Sequence, residues 1–254
     1  MASPKSKLRM LLRVLIVLCA AGLLYSAAVL AAGGREYARG DAAYDRVRRQ
    51  TQGREEDPAP GPQTPGAGAD FAALGEINPD VVAWLAGDDG VIDYPVVRGD
   101  DNDYYLTHLF DGGPNKLGCL FVDYRAAGDF SGRNTTIYGH NMQDGSMFAP
   151  LTQYQAQDYY DAHPVLWLYT PKGAYTLQLF AGILGDGGSE FIRFDFADDA
   201  DFLAYIQALR AASTFQSEVE VGAGDRIVSL STCSYDFENA RYVLFGRLTA
   251  LPQP

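Results

Sequence analysis

Hydrophobic residues run almost unbroken from position 14 to 32, give way to charged and small residues, and from Phe71 onward settle into short apolar or alternating stretches. About 20 apolar residues suffice for a helix to cross bilayer hydrocarbon, and Lys5, Lys7, Arg9 and Arg13 precede this run. The pattern predicts a basic tail over 1–13 and a transmembrane signal anchor over 14–34. A cleavable signal peptide is the alternative, since Ala28, Ala31 and Ala32 supply small residues for processing. Basic residues also follow the run, at Arg35, Arg39, Arg46, Arg48 and Arg49, so charge counting leaves the orientation open. Tyr37, Tyr44 and Val47 recur at helix-like intervals and predict a short juxtamembrane helix over 35–49. Residues 50–70 carry four prolines and four glycines among polar residues and cannot build a core, which predicts a flexible stalk within a 35–70 linker.

Beyond residue 71 the apolar pattern has the short period of strands. Residues 91–97, 118–123, 135–138, 165–169, 175–184, 226–230 and 242–248 are such stretches, bounded by Gly, Asn and Asp. Many short strands with turn signals predict an antiparallel barrel or sandwich. Two helices are expected to interrupt them. One covers 78–85, where Asn78 acts as a cap and Pro79 sits in the first turn; the other covers 198–212, with Phe202, Ile206 and Leu209 on one face. The expected catalytic domain, 71–254, is therefore mainly β with peripheral helices, and the sequence has no internal repeat.

Charge narrows the function. Ten of the 20 Lys/Arg but only seven of the 32 Asp/Glu precede residue 71, leaving ten basic against 25 acidic residues and a formal balance of −15 in 71–254. Such a body repels nucleic-acid phosphates, so no nucleic-acid partner is expected. The three cysteines, Cys19, Cys119 and Cys233, form no CxxC pair and no zinc-ligand spacing, so neither a disulfide framework nor a metal or other cofactor is expected. An unpaired thiol outside the cytoplasm is exposed to oxidation, and catalysis is one reason to keep it.

Cys233 ends the run Ser229-Leu230-Ser231-Thr232-Cys233 directly after the strand-like 225–228, on rigid backbone yet able to face a groove. His140 ends a second strand-like run, Asn134-Thr135-Thr136-Ile137-Tyr138-Gly139-His140. Imidazole titrates near neutrality, so it suits proton exchange with a thiol or a leaving amine. His108 and His163 are its competitors and read as loop or helix-edge residues. Arg241 lies eight residues after Cys233 at the start of an apolar strand, so a hairpin over 234–240 returns its guanidinium beside the thiol, suited to a developing oxyanion. Arg247 is its rival, on the same face but about 20 Å along the strand.

Together these residues resemble the sortases, and class B sortases in particular. The resemblance spans about 74–249 and takes in residues 78–85, 92–97, Asp101-Asn102-Asp103-Tyr104-Tyr105-Leu106, Gly118-Cys119-Leu120-Phe121-Val122-Asp123-Tyr124-Arg125 and Gly145-Ser146-Met147-Phe148. It implies a closed eight-stranded sortase-type β-barrel behind an N-terminal transmembrane helix, with the amino terminus cytoplasmic and the catalytic domain outside the cell membrane. The 198–212 helix matches the long helix that class B members carry before their last two strands.

The resemblance also implies a transpeptidase acting on surface proteins that bear a C-terminal sorting signal. Cleavage after Thr would pass through a thioacyl intermediate on Cys233, with His140 moving protons and Arg241 steadying the oxyanion. Asn102, Leu106 and Ser231 are the implied signal-binding residues. The acceptor would be an amine of a peptidoglycan precursor or a pilin, and the signal could be of the Asn-Pro-x-Thr or the Leu/Ser/Pro-Pro-x-Thr type. Some class B members carry an acid two positions after the cysteine; here that position is Tyr235 and the acid is Asp236, which stays outside the expected catalytic set. Cys119 is expected to serve packing only. A catalytically inactive surface-binding module with a sortase-like barrel is the alternative, although a pure binder has no use for Cys, His and Arg together.

Overall fold

A computed structural model describes residues 4–51, 69–187 and 191–252, with the backbone alone for 4–9. The chain divides into two compact units, Met1–Ala42 and Ala43–Pro254. Helix α1 (Pro4–Thr51) supplies the first unit and the opening residues of the second. Its apolar stretch exposes Leu11, Ile16, Leu18, Leu24 and Leu30, and it is long and apolar enough to cross a membrane. The short juxtamembrane helix expected over 35–49 is part of this one continuous element.

The second unit is a closed barrel. After a capped turn of helix, α2 (Phe71–Ile77), come β1 (Val81–Gly87), β2 (Asp93–Val97), β3 (Leu120–Val122) and β4 (Asn134–Tyr138). Helix α3 (Gln157–Ala162) then leads to β5 (Val165–Thr170) and the long β6 (Gly173–Asp186). Helix α4 (Asp199–Ala212) precedes β7 (Arg226–Cys233) and β8 (Ala240–Ala250). The strands close in the order β1-β2-β3-β4-β7-β8-β6-β5. Pairing is antiparallel except at β2/β3 and β4/β7, which are parallel.

Both faces of β7 and β8 are covered over most of their length. Alternation puts Ile227, Ser229, Ser231 and Cys233 on one face of β7, and their partners place Arg241, Val243, Phe245 and Arg247 on the same face of β8. Helix α4, capped by the Asp198 carboxylate on Asp201 N, lays Phe202, Tyr205, Ile206 and Leu209 over Ile227, Val243 and Phe245. Burying each such side chain contributes about 1.5–3 kcal/mol. The end of that face, with Ser231, Cys233 and Arg241, lies beyond the helix.

One expectation is corrected. Residues 78–85 do not form a helix: the chain runs into β1, paired to β2 on one side and β5 on the other. Asn78 instead ends α2, its Oδ1 accepting from Asp80 N at 2.9 Å in an Asx turn that mimics an N-cap locally. Its Nδ2 donates to Tyr105 Oη and to the Phe110 carbonyl, and the next residues, Val81 and Val82, are β-branched. β1 is the eighth strand, absent from the strand-like stretches of the sequence.

The second compact unit takes in the end of α1 from Ala43 onward. Tyr44, Val47 and Thr51 are buried, and Arg48 Nε reaches both the Asp93 carbonyl and its carboxylate. Asp70 N donates to Thr51 O at 2.7 Å. The stalk expected over 50–70 falls mostly on 52–68, outside the described residues.

Candidate active site

Tyr138 pairs with Ser231 across the parallel strands β4 and β7, and Gly139 N extends the ladder to Ser231 O at 3.1 Å. His140 and Cys233, each two residues further, therefore leave neighbouring strands side by side. Gly139 is required for that exit, because a Cβ there would lie 2.4 Å from Leu120 Cδ2 and 2.7 Å from the Phe148 ring. Arg241 faces Cys233 directly across β7/β8, with Nη1 3.3 Å from Sγ. All three line one groove of about 460 Å³ with Asn102, Leu106 and Ser231. The six residues singled out in the sequence thus meet at one place, and Phe121, Tyr138 and Ile192 supply its apolar walls.

The imidazole is held. His140 Nε2 lies 2.7 Å from the Leu106 carbonyl, which can only accept, so Nε2 carries the hydrogen. In the neutral ring Nδ1 then keeps its lone pair for proton exchange. The loop after His140 closes on itself, with Asn141 bridging Met147 and Phe148 N donating to the His140 carbonyl.

A carboxylate lies behind the groove. Asp123, its side chain wholly buried, accepts from Arg125 Nε and Nη2, from Tyr138 Oη at 3.0 Å and from Asn102 Nδ2 at 3.1 Å. Burial pushes its pKa up, but these donors outweigh that and hold it below the usual carboxylate range. Burial first, and then the Asp123 charge, push the Tyr138 hydroxyl well above the ordinary phenol, so it stays a donor. Asn102 lines the groove with both ends of its amide engaged, since its Oδ1 also accepts from Tyr124 N. Ser231 Oγ is buried and has no hydrogen-bond partner among the described residues. Sequence reasoning missed Asp123 and Tyr138 as site residues; both lie inside quoted motifs, but their connection runs across the β3/β4 pair.

The competitors are occupied elsewhere. Arg247 Nε bonds Gln178 Oε1 and its Nη1 bonds the Glu220 carbonyl. His108 stacks on Tyr104 with ring centres 4.0 Å apart, and His163 Nδ1 lies 2.7 Å from Asp88 Oδ1. Asp236, in the β7–β8 loop, accepts from Ser234 Oγ of the same loop and from Gln155 Nε2 outside it, while Tyr235 Oη ties that loop to the Asn141 carbonyl. Cys233 is half-buried, whereas Cys119 is enclosed and burial pushes its thiol up to about 12. Spacing showed no metal-ligand cluster, yet folding draws Asp88, Asp89 and His163 together with ligand atoms within 4.8 Å, away from the groove and with both aspartates exposed.

No family model matches the chain. Sortase B of Listeria monocytogenes is 40% identical over 177 residues, covering 69% of this chain and 72% of that protein. Sortase B of Staphylococcus aureus is 32% identical over 180 residues, 70% of this chain and 74% of that one. The solved structure of the Staphylococcus aureus sortase B-substrate complex superposes with a TM-score of 0.75 at 28% identity, covering 86% of this chain and all of that one.

Proposed function

The chain belongs to the class B sortases, and from that premise we propose that it cleaves a C-terminal sorting signal after Thr and transfers the surface protein to an amine. Cysteine transpeptidation is the chemistry of the family.

Cys233 Sγ attacks the Thr carbonyl carbon, and its proton passes to His140 Nδ1. The carbonyl oxygen takes up the negative charge within reach of the Arg241 guanidinium. Collapse re-forms the carbonyl and breaks the carbon–nitrogen bond, and the imidazolium protonates the departing amine. A thioester remains on Cys233. An incoming amine then attacks it, His140 takes the amine's proton, and the thiolate leaves. Ser231 Oγ, buried and unpartnered among the described residues, suits an acceptor on the bound signal, and Leu106 lines the same groove. Asn102, also in the lining, is fixed by its bonds to Asp123 and Tyr124.

The observation that carries this reading is the 3.3 Å approach of Arg241 Nη1 to Cys233 Sγ in the groove that His140 also lines. A relative solved as a substrate complex supports a peptide in the same groove. The apolar N-terminal helix supports a membrane anchor, and the orientation proposed with it, amino terminus in the cytoplasm and barrel facing the wall, rests on family membership. The test is cleavage of a peptide library spanning Asn-Pro-x-Thr and Leu/Ser/Pro-Pro-x-Thr signals by the full-length chain in detergent, with products from different amines read by mass spectrometry. Cys233→Ala is expected to abolish turnover, and equal turnover by that variant would end the proposal.

A further inference from the structure

Tyr44 stands far from the groove in sequence, yet two chains of contacts lead from it to His140. In the first, Tyr44 Oη donates to the Gly118 carbonyl at 2.5 Å. Gly118 sits at φ +61°, pressed so closely on the preceding loop that a Cβ there would lie 2.5 Å from the Tyr105 carbonyl oxygen and 2.9 Å from that of Leu106. Cys119 N holds the same loop through the Tyr105 carbonyl at 2.9 Å. The Leu106 carbonyl then receives His140 Nε2 at 2.7 Å.

In the second, the Tyr44 ring meets Tyr94 edge to face at 5.1 Å. Tyr94 Oη accepts from Met147 N at 3.2 Å, and the Met147–Phe148 backbone returns to His140 by the Phe148 N bond to its carbonyl at 2.9 Å. One route ends on the imidazole nitrogen and the other on the backbone of the same residue.

We infer that Tyr44 is a positioning residue that holds the His140 ring and its tautomer through the Leu106 carbonyl, making the last turns of α1 part of the working enzyme. This rests on the proposed role of His140 in proton transfer. A carbonyl displaced from Nε2 no longer fixes which nitrogen carries the hydrogen, and a ring free to turn spends less time aligned with the thiol and the leaving amine. Burial pushes the Tyr44 hydroxyl well above the ordinary phenol, so it remains a donor at every pH of interest.

The test compares Tyr44→Phe with Val47→Ala in the full-length chain in detergent. Tyr44→Phe keeps the ring against Tyr94 and removes only the donor; Val47→Ala thins the same buried helix face without touching a hydrogen bond. Tyr44→Phe is expected to lower kcat about tenfold with KM within about twofold, while Val47→Ala lowers Tm and leaves kcat near wild type. Tyr94→Phe, which cuts the second route, is expected to lower kcat in the same way. The nitrogen resonances of the His140 ring should move toward a mixture of tautomers in Tyr44→Phe and stay in place in Val47→Ala. Unchanged kcat and unchanged ring resonances in Tyr44→Phe, or equal losses of kcat in both helix variants, would overturn the inference. A wild-type chain that cleaves no signal would count against the proposed function alone, since the ring resonances still read the tautomer.

Discussion

Replacing Arg241 by Gln tests the chemical core of the site. Arg241 is locked to Cys233 by strand pairing, and its Nη1 lies 3.3 Å from Sγ. An oxygen on a carbon bonded to that sulfur lies one bond further out, so the same guanidinium meets it without rearrangement. Removing one preorganised donor from an oxyanion costs about 2.7–4 kcal/mol. Because Arg241 is only half-buried, water screens part of this and the lower end applies: about 2.7 kcal/mol, or about 100-fold in rate. The loss should fall equally on kcat and kcat/KM, as for an interaction made only in the transition state. Steady-state cleavage of the best library peptide measures it, and a single-turnover experiment should place it in thioester formation. Arg241→Lys keeps the charge but not the planar fork and should recover only part of the rate. Alkylation of Cys233 by a small neutral reagent should hold near the wild-type rate in Arg241→Gln. A loss below about fivefold with KM unchanged would refute the oxyanion role, and a parallel fall in alkylation would move Arg241 from the oxyanion to the thiol.

Two further outcomes follow from buried groups. Asp123→Asn strands Arg125 without its charge partner and weakens the hold on Tyr138 and Asn102; with Arg125 half exposed, the expected loss is about 2 kcal/mol by chemical denaturation. Because the folded state holds the Asp123 pKa below its unfolded value of about 3.9, its contribution is present above that pH and fades as pH falls through the lower folded value. The acid limb of the stability curve should therefore flatten in Asp123→Asn, and an unchanged limb would contradict the assignment. Brief maleimide treatment followed by peptide mass spectrometry should label Cys233 rapidly and Cys119 only on unfolding, since Cys119 is buried with its thiol pushed up to about 12. Equal labelling of the two would contradict the packing role of Cys119.

What was legible in the chain was whatever short-range chemistry decides. The α4 helix announces itself because Asp198 caps it and Phe202, Ile206 and Leu209 share one face, and all three are buried. Arg241 could be preferred over Arg247 because an eight-residue spacing around a hairpin sets the register in which Cys233 and Arg241 pair. The β1 strand was illegible because an asparagine before Pro79-Asp80 is locally the same signal for an N-cap and an Asx turn. The decision lies with the partners of the Asn78 amide, Tyr105 and Phe110, 27 and 32 residues away. The same holds for Asp123, whose bond to Tyr138 exists only once β3 and β4 pair, and for Tyr44, whose hydrogen-bond partner lies 74 residues downstream.

The convergence of the site depends on strand direction more than on any single side chain. In a parallel pair, strands of the same polarity end at the same rim, so the parallel β4/β7 pairing sends Gly139-His140 and Cys233 out together. The tight return after β7, closed by Ser234 N on the Ala240 carbonyl at 2.7 Å, then starts β8 at that same rim and delivers Arg241. Were β4 antiparallel to β7, His140 would emerge beside the start of β7 near Arg226, roughly seven residues or about 23 Å from the thiol. The parallel β4/β7 contact thus brings three residues spread over about a hundred positions to one rim of the barrel, on a face that α4 covers further along.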